Sequence, residues 1–163
     1  MFSEIDTVVA ARFKAAFRRY PTGVAVIAAA GPHGPVGLTA SSVASVSADP
    51  PALSFSVIGS GSALAVLAAP GLTVNLLGPA QVALARDFAR SGGPRFTPDQ
   101  GWETLPTGEP MLPGAVASLR CAPLHQVPVG GSTVVVATVL EVFLGPPGGR
   151  LVHHDRRFHT HED

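Results

Sequence analysis

Charge is scarce in this chain, and its signs cancel. Eleven Lys and Arg stand against eleven Asp and Glu, together 13% of 163 residues, which leaves no basic surface for nucleic acid or for an anionic membrane. The single cysteine, Cys121, excludes an internal disulfide, and no CxxC or Cys/His spacing of a structural zinc site accompanies it. Within the apolar run 116–122 it reads as a small buried thiol rather than a nucleophile. No apolar run approaches the roughly 20 residues that cross a bilayer, and the first residues, MFSEIDTVVAARF, carry acids where a secretory leader carries bases. A cytoplasmic protein is expected. No G-x-G-x-x-G follows a strand, which removes the dinucleotide fold built on that turn. The serines cluster with no histidine in sequence context, so no Ser/His/Asp set is credible. Four histidines crowd the end, His153, His154, His159 and His161, but in no metal-site spacing. No metal is expected.

What is present is the length of one domain, 1–163, with a single core. A positive mean hydropathy of +0.33 at so low a charge favours association, and an oligomer is expected. Residues 8–19 read as a helix capped by Ser3 or Asp6, with Val9, Phe13, Ala16 and Phe17 on one apolar face. Strands are expected over 23–30 and 36–39, joined by the turn GPHGP, and over 52–58, 72–77, 115–126 and 132–144, with a hairpin loop over 127–131. Short helices fall over 63–69 and 79–90, the second burying Val82, Leu84, Ala85, Phe88 and Ala89. Residues 91–113 are irregular, punctuated by Gly and Pro and anchored by Arg95, Phe96 and Trp102; Arg95 either meets an anionic cofactor or makes a surface contact. The count, about nine strands and three helices, predicts a closed or nearly closed antiparallel barrel.

The stretch that organises the chain is 37–53, GLTASSVASVSADPPAL. Thr39, Ser41, Ser42, Ser45 and Ser47 offer five hydroxyls, and Ala40, Ala44 and Ala48 leave the backbone approachable. The pattern reads as strand, turn, strand, a rigid mount for a ligand that is uncharged, flat or phosphorylated; hydroxyls that only close local turns are the alternative. Gly59-Ser60-Gly61-Ser62 ahead of a helix is a second phosphate-cradle pattern, weak by itself. Asn75, a polar amide in an apolar strand, needs partners, either neighbouring backbone or a ligand.

The run 37–51 resembles the G-x-T-A-[NS]-S-x-x-S-V-S-x-x-P-P signature of the flavin reductase family. The likeness extends from FRRYPTGVAVIAA through VNLLGPAQVALARDFA to HDRRF. It implies a mainly β fold, a β-barrel with a few helices: the FMN-binding split barrel of Greek-key type. It also implies NADH or NADPH as hydride donor, FMN or FAD as cofactor, a homodimer, and reduced flavin supplied to a partner monooxygenase. The residues it points to for the flavin are Thr22, Thr39, Ala40, Ser41, Ser42, Ser45, Ser56, Ser60, Ser62, Asn75, Phe88 and Arg157. The sequence departs from the family twice. The phosphate loop [RK]-S-S-x-T has Gly59 and Ala63 at its basic and threonine positions, and the G-D-H whose histidine places the nicotinamide reads Gly130-Gly131-Ser132. Ser132 and His154 are then left to place the nicotinamide. A flavin-binding protein without efficient NAD(P)H oxidation, or a flavin-free interaction module, are the rival expectations.

Overall fold

The structure, a computed structural model, describes residues 4–59 and 61–163. In chain order these form α1 (Glu4–Arg18), β1 (Thr22–Gly23), β2 (Ala25–Gly31), β3 (Gly34–Ala40), β4 (Ala44–Ala48), β5 (Pro51–Ile58), α2 (Ser62–Ala68), β6 (Leu72–Leu76), α3 (Val82–Ala89), β7 (Glu103–Thr104), β8 (Pro110–Met111), β9 (Ala117–Val129), β10 (Ser132–Leu144), β11 (Arg150–His154) and β12 (Arg157–His161). The fold is mainly β. Seven strands make one antiparallel sheet in the order β3-β2-β6-β9-β10-β5-β4. Its two edges, β3 and β4, are neighbours in sequence joined only by residues 41–43, yet no ladder joins them among the described residues. The sheet is therefore curled into a barrel that stays split along that seam.

Strand β2 shows why the sequence folds this way. Its run AVIAA is buried from Ala25 to Ala29 on both faces: Ala25, Ile27 and Ala29 point into the barrel core with Phe55, Leu72, Val74 and Val135. On the outer face Val26 joins Leu84, Phe88, Leu112 and Leu151 under α3. A doubly covered strand needs a continuous apolar run rather than alternation. Strand β5, covered on one side, alternates: Leu53, Phe55 and Val57 are buried between half-buried Ala52, Ser54 and Ser56. α2 closes one end of the barrel with Ala63 and Val66, and the Gln126 amide donates to Leu67 O at 2.8 Å. Cys121 is fully buried in the same core, and burial pushes its thiol up to about 12 against the pull of Arg120.

Several boundaries differ from expectation. α1 begins at Glu4, so Asp6 lies inside its first turn rather than capping it; Ser3 lies outside the described residues. Ala89 is exposed and Val82 half-buried, while Leu84, Ala85 and Phe88 are buried. β9 runs on to Val129, so the hairpin turn is only Gly130-Gly131. Pro123 and Pro128 fall beyond Cys121, where β6 no longer pairs with β9 and no backbone donor is needed on that side. The histidine-rich end is a second hairpin, β11–β12, turned at Asp155 and Arg156 with φ of 49° and 62°; both central residues left-handed is the hairpin-compatible arrangement. Among the described residues no three His, Cys, Asp or Glu groups converge as a metal site, and no helix is long and apolar enough to cross a membrane.

Asn75 is where the irregular segment is fastened to the barrel. It is fully buried. Its Nδ2 donates to Val26 O and to Thr73 Oγ1, both at 3.0 Å, and its Oδ1 accepts from Leu112 N at 3.0 Å and from Ser118 Oγ at 2.8 Å. Thr73 Oγ1 in turn donates to Pro110 O at 2.5 Å. Every donor and acceptor of the amide is used inside the fold, which corrects the expectation of a flavin contact. Asn75→Ala leaves buried backbone groups unpaired and is expected to cost about 3 kcal/mol of stability, read as an earlier urea midpoint. Flavin affinity below that midpoint stays at the wild-type value if the role is structural.

Candidate functional site

The turn 41–43 lies between two clefts. The first, of about 650 Å³, is walled by Thr39, Ala40, Ser41, Ser42, Ser56, Ser62, Phe88, Arg90 and Ser132 among others. The second, of about 830 Å³, shares Ser41, Ser42 and Ser56 and adds Thr22, His153, Asp155 and Arg156 with Phe13, Lys14, Phe17 and Tyr20 from the end of α1. Both volumes fall in the usual range for small-molecule sites. β3, the turn and β5 present the shared serines. Within the turn Val43 packs on the core, while Ser41 and Ser42 stay exposed on the rim.

The hydroxyls are not equivalent. Ser42 Oγ accepts from Ser56 N at 2.9 Å and donates to Ser56 O at 3.2 Å, which fastens the turn to β5. Thr39 Oγ1 donates to Ala85 O at 2.7 Å, tying β3 to α3. Gly37, on the same strand, lets α3 approach: a Cβ there would stand 3.0 Å from both Ile27 O and the Phe88 ring. The Thr22 hydroxyl, in contrast, is buried on the wall of the larger cleft with no hydrogen-bond partner. A buried polar atom without a partner is uncommon in a folded chain and is satisfied when a ligand or water arrives. Ser62 and Ser132 close the far wall of the smaller cleft, where Gly59 N donates to Gly131 O at 3.1 Å. No carboxylate lines this cleft.

The expected site residues divide accordingly. Thr39, Ala40, Ser41, Ser42, Ser56, Ser62, Phe88 and Ser132 share the smaller cleft, although Phe88 is only 1% exposed and belongs mainly to the aromatic packing with Phe96 and Trp102. Thr22 opens on the larger one. Ser60 lies outside the described residues. Ser45 is separated from the group, on a smaller hollow with Val24 and Leu151. His154 faces a pocket with Ala15, Arg18 and Arg19, whereas its neighbour His153 faces the large cleft; successive residues of a strand point to opposite sides. Arg157, on β12, is exposed and lines none of these clefts. Arg95 is not a free cation. Its guanidinium donates to Gly37 O, Arg90 O, Gly93 O and Phe88 O at 3.1–3.2 Å and lies 5.4 Å from the centre of the Phe88 ring.

Sequence reasoning passed over Arg90, Asp155 and Arg156, and weighed His153 only as a metal ligand. The signal for Arg156 and Asp155 is the turn between two five-residue strands, which projects its side chains beyond the ladder; Asp155 N donates to Arg18 O at 3.0 Å and seats that turn on α1.

Residues 17–162 match the sequence model of a family described as flavin reductase like domain. The chain is 41% identical over 141 residues to an NADH:FMN oxidoreductase of Rhodococcus qingshengii, an alignment covering 85% of this chain and 73% of the relative. Among solved structures it superposes on a flavin reductase domain protein from Arthrobacter sp. FB24 with a TM-score of 0.86 at 34% identity, covering 93% of this chain and 94% of that one. It also superposes on the styrene monooxygenase flavin reductase of Pseudomonas putida S12 with a TM-score of 0.82 at 27% identity, covering 92% and 97%.

The hydroxyl inventory distinguishes two neighbouring serines. The Ser41 hydroxyl makes no bond to the chain among the described residues, so Ser41→Ala is expected to weaken flavin binding by about 1 kcal/mol with unchanged stability. Ser42→Ala removes a fastening of the turn as well, and is expected to lower both flavin affinity and the melting temperature. Fluorescence titration and thermal unfolding of the two variants separate these effects.

Proposed function

The chain belongs to the family of flavin reductase like domains, and from that premise we propose that it is an NADH-dependent flavin reductase. It takes FMN, with FAD as the alternative, and passes reduced flavin to a partner monooxygenase. The observation that carries this reading is the hydroxyl-lined cleft on the split seam: apolar beneath, bordered by Arg90 and Arg95, free of carboxylates among the described residues and continuous with a second cleft through Ser41, Ser42 and Ser56. Those residues fit a flavin. Ser41 and the backbone of residues 39–42 supply neutral donors and acceptors for the polar edge of the ring, and the buried Thr22 hydroxyl has a hydrogen bond to give.

The bound flavin would supply the redox chemistry, gaining a proton and the hydride that converts NADH to NAD⁺. The protein orients the reactants, excludes water and offers donors where negative charge develops on the flavin ring. Val57, Ala63 and Phe88 form the dry floor of the smaller cleft. The larger cleft, with Phe13, Phe17 and Tyr20 on one side and His153 and Arg156 on the other, is assigned to the adenosine part of NADH, its nicotinamide reaching past the shared Ser41, Ser42 and Ser56 into the smaller cleft. NADH as electron source suits a cytoplasmic location.

A homodimer completes the reading. α1 buries none of its residues: Ile5, Val8, Val9, Phe13 and Phe17 are 54–74% exposed, and Phe13 and Phe17 stack at 4.8 Å on that open face. Apolar faces of this extent belong at interfaces. A second copy is the occupant we assign, since the chain has too few charges to keep such a face in water. Val9 lines neither cleft. Val9→Glu is expected to shift the protein from dimer to monomer in sedimentation velocity at micromolar concentration; a wild-type monomer removes the dimer from the reading.

The function itself is tested by NADH oxidation with added FMN, followed by stopped-flow reduction of the bound flavin. Ser132, half-buried on the smaller cleft, is assigned to nicotinamide placement. Ser132→His is expected to speed flavin reduction by roughly tenfold or more, because small gains in orientation carry large factors in rate. A variant no faster than wild type takes position 132 out of the nicotinamide site. Absence of NADH oxidation in both, with flavin bound, favours a flavin-binding protein that does not turn over.

A further inference from the structure

Two arginines line the smaller cleft, and the structure gives them different work. Arg95 has four of its five N–H donors on backbone carbonyls, and three of those carbonyls, Phe88 O, Arg90 O and Gly93 O, belong to the end of α3 and the loop that follows. It acts as a side-chain cap that satisfies the last carbonyls of the helix. The loop it holds is tight: Gly92 has φ of 73°, and a Cβ on Gly93 would fall 2.1 Å from Asp87 O. Arg90 projects from this clamped backbone. Its side chain is 67% exposed and meets only Asp87, at 3.6 Å one helical turn back. A single contact of that length, with the arginine in solvent, contributes little and leaves the guanidinium open to a better acceptor.

The cleft that Arg90 borders has seven hydroxyl side chains, Thr39, Ser41, Ser42, Ser56, Ser62, Ser91 and Ser132, and no carboxylate. Gly61, Ser62 and Ala63, which also line the cleft, carry no charge. Hydroxyl donors with one exposed guanidinium, whose acid partner Asp87 stands 3.6 Å away and does not line the cleft, suit a phosphate monoester, which carries about −1.5 to −2 charges at neutral pH. We propose that Arg90, set in place by Arg95, grips the phosphate of the bound flavin nucleotide and determines the preference of this site for FMN over the unphosphorylated flavin. The proposal rests on the flavin reading of the cleft.

The test is a fluorescence-quenching titration of the purified full chain with FMN and, separately, with riboflavin, which has the same ring and no phosphate. Wild type binds FMN more tightly than riboflavin. Arg90→Gln is expected to weaken FMN by roughly tenfold and leave riboflavin unchanged, with a flatter dependence of FMN affinity on salt. Arg90→Lys retains most of the FMN affinity. Asp87→Asn, which releases the guanidinium, tightens FMN and not riboflavin. FMN binding indifferent to Arg90→Gln, or an equal loss for both flavins, overturns the assignment while leaving the flavin site standing. Failure of wild type to bind either flavin overturns the flavin reading and this assignment together.

Discussion

A link of three residues holds the edges of a seven-stranded sheet together, and the architecture follows from that constraint. Laid flat, six inter-strand spacings would put β3 and β4 roughly 29 Å apart, whereas the chain from Ala40 to Ala44 reaches at most about 14 Å. The sheet must curl until its ends nearly meet. Curling encloses Ile27, Phe55, Leu72, Val74 and Val135 in one core and leaves the link itself on the seam. Residues 41–43 are therefore both the closure of the barrel and the ridge between two clefts. Ser42 is what fixes that ridge, through its two bonds to the Ser56 backbone. A site on this ridge inherits the rigidity of the strands on either side, the condition for orienting a flat ligand closely.

What the sequence revealed depended on whether the information was local. The β-branched run of β10 was legible with both ends, Ser132 and Leu144, and the alternation of β5 predicted which side chains are buried, because each signal lies within one strand. Asn75 left two readings open because its partners lie elsewhere: Val26, 49 residues back, and Leu112 and Ser118, 37 and 43 residues on. Ser45 drops out of the hydroxyl group because it lies past the turn, in β4, where it lines a hollow with Val24 and Leu151. His153 rather than His154 faces the larger cleft because a motif fixes a neighbourhood while a strand's pleat fixes which neighbour points where. The helix face of Val9, Phe13 and Phe17 was plain from periodicity. An amphipathic pattern says that a face wants cover without saying what covers it.

The polar groups around the seam fall into pairs in which one member is consumed by the fold and its counterpart is not. Thr39 is bonded to Ala85 O, and Thr22 is buried with its hydroxyl unpaired. Ser42 is bonded to Ser56, while Ser41, one residue earlier, stays open on the rim. Arg95 is clamped to four carbonyls, and Arg90, whose carbonyl is one of them, carries an exposed guanidinium. In the last two pairs the committed group sits on the same segment as the open one and fixes the backbone from which it extends. Such an arrangement lowers the ordering cost of binding, because the mount is rigid before the ligand arrives and only the last side-chain torsions remain to be fixed. It also explains how a chain so poor in charge can favour an anionic nucleotide. Affinity need not come from net charge when a cation borders a wall of hydroxyls and its own acid partner, Asp87, stands 3.6 Å away, outside the lining of the cleft.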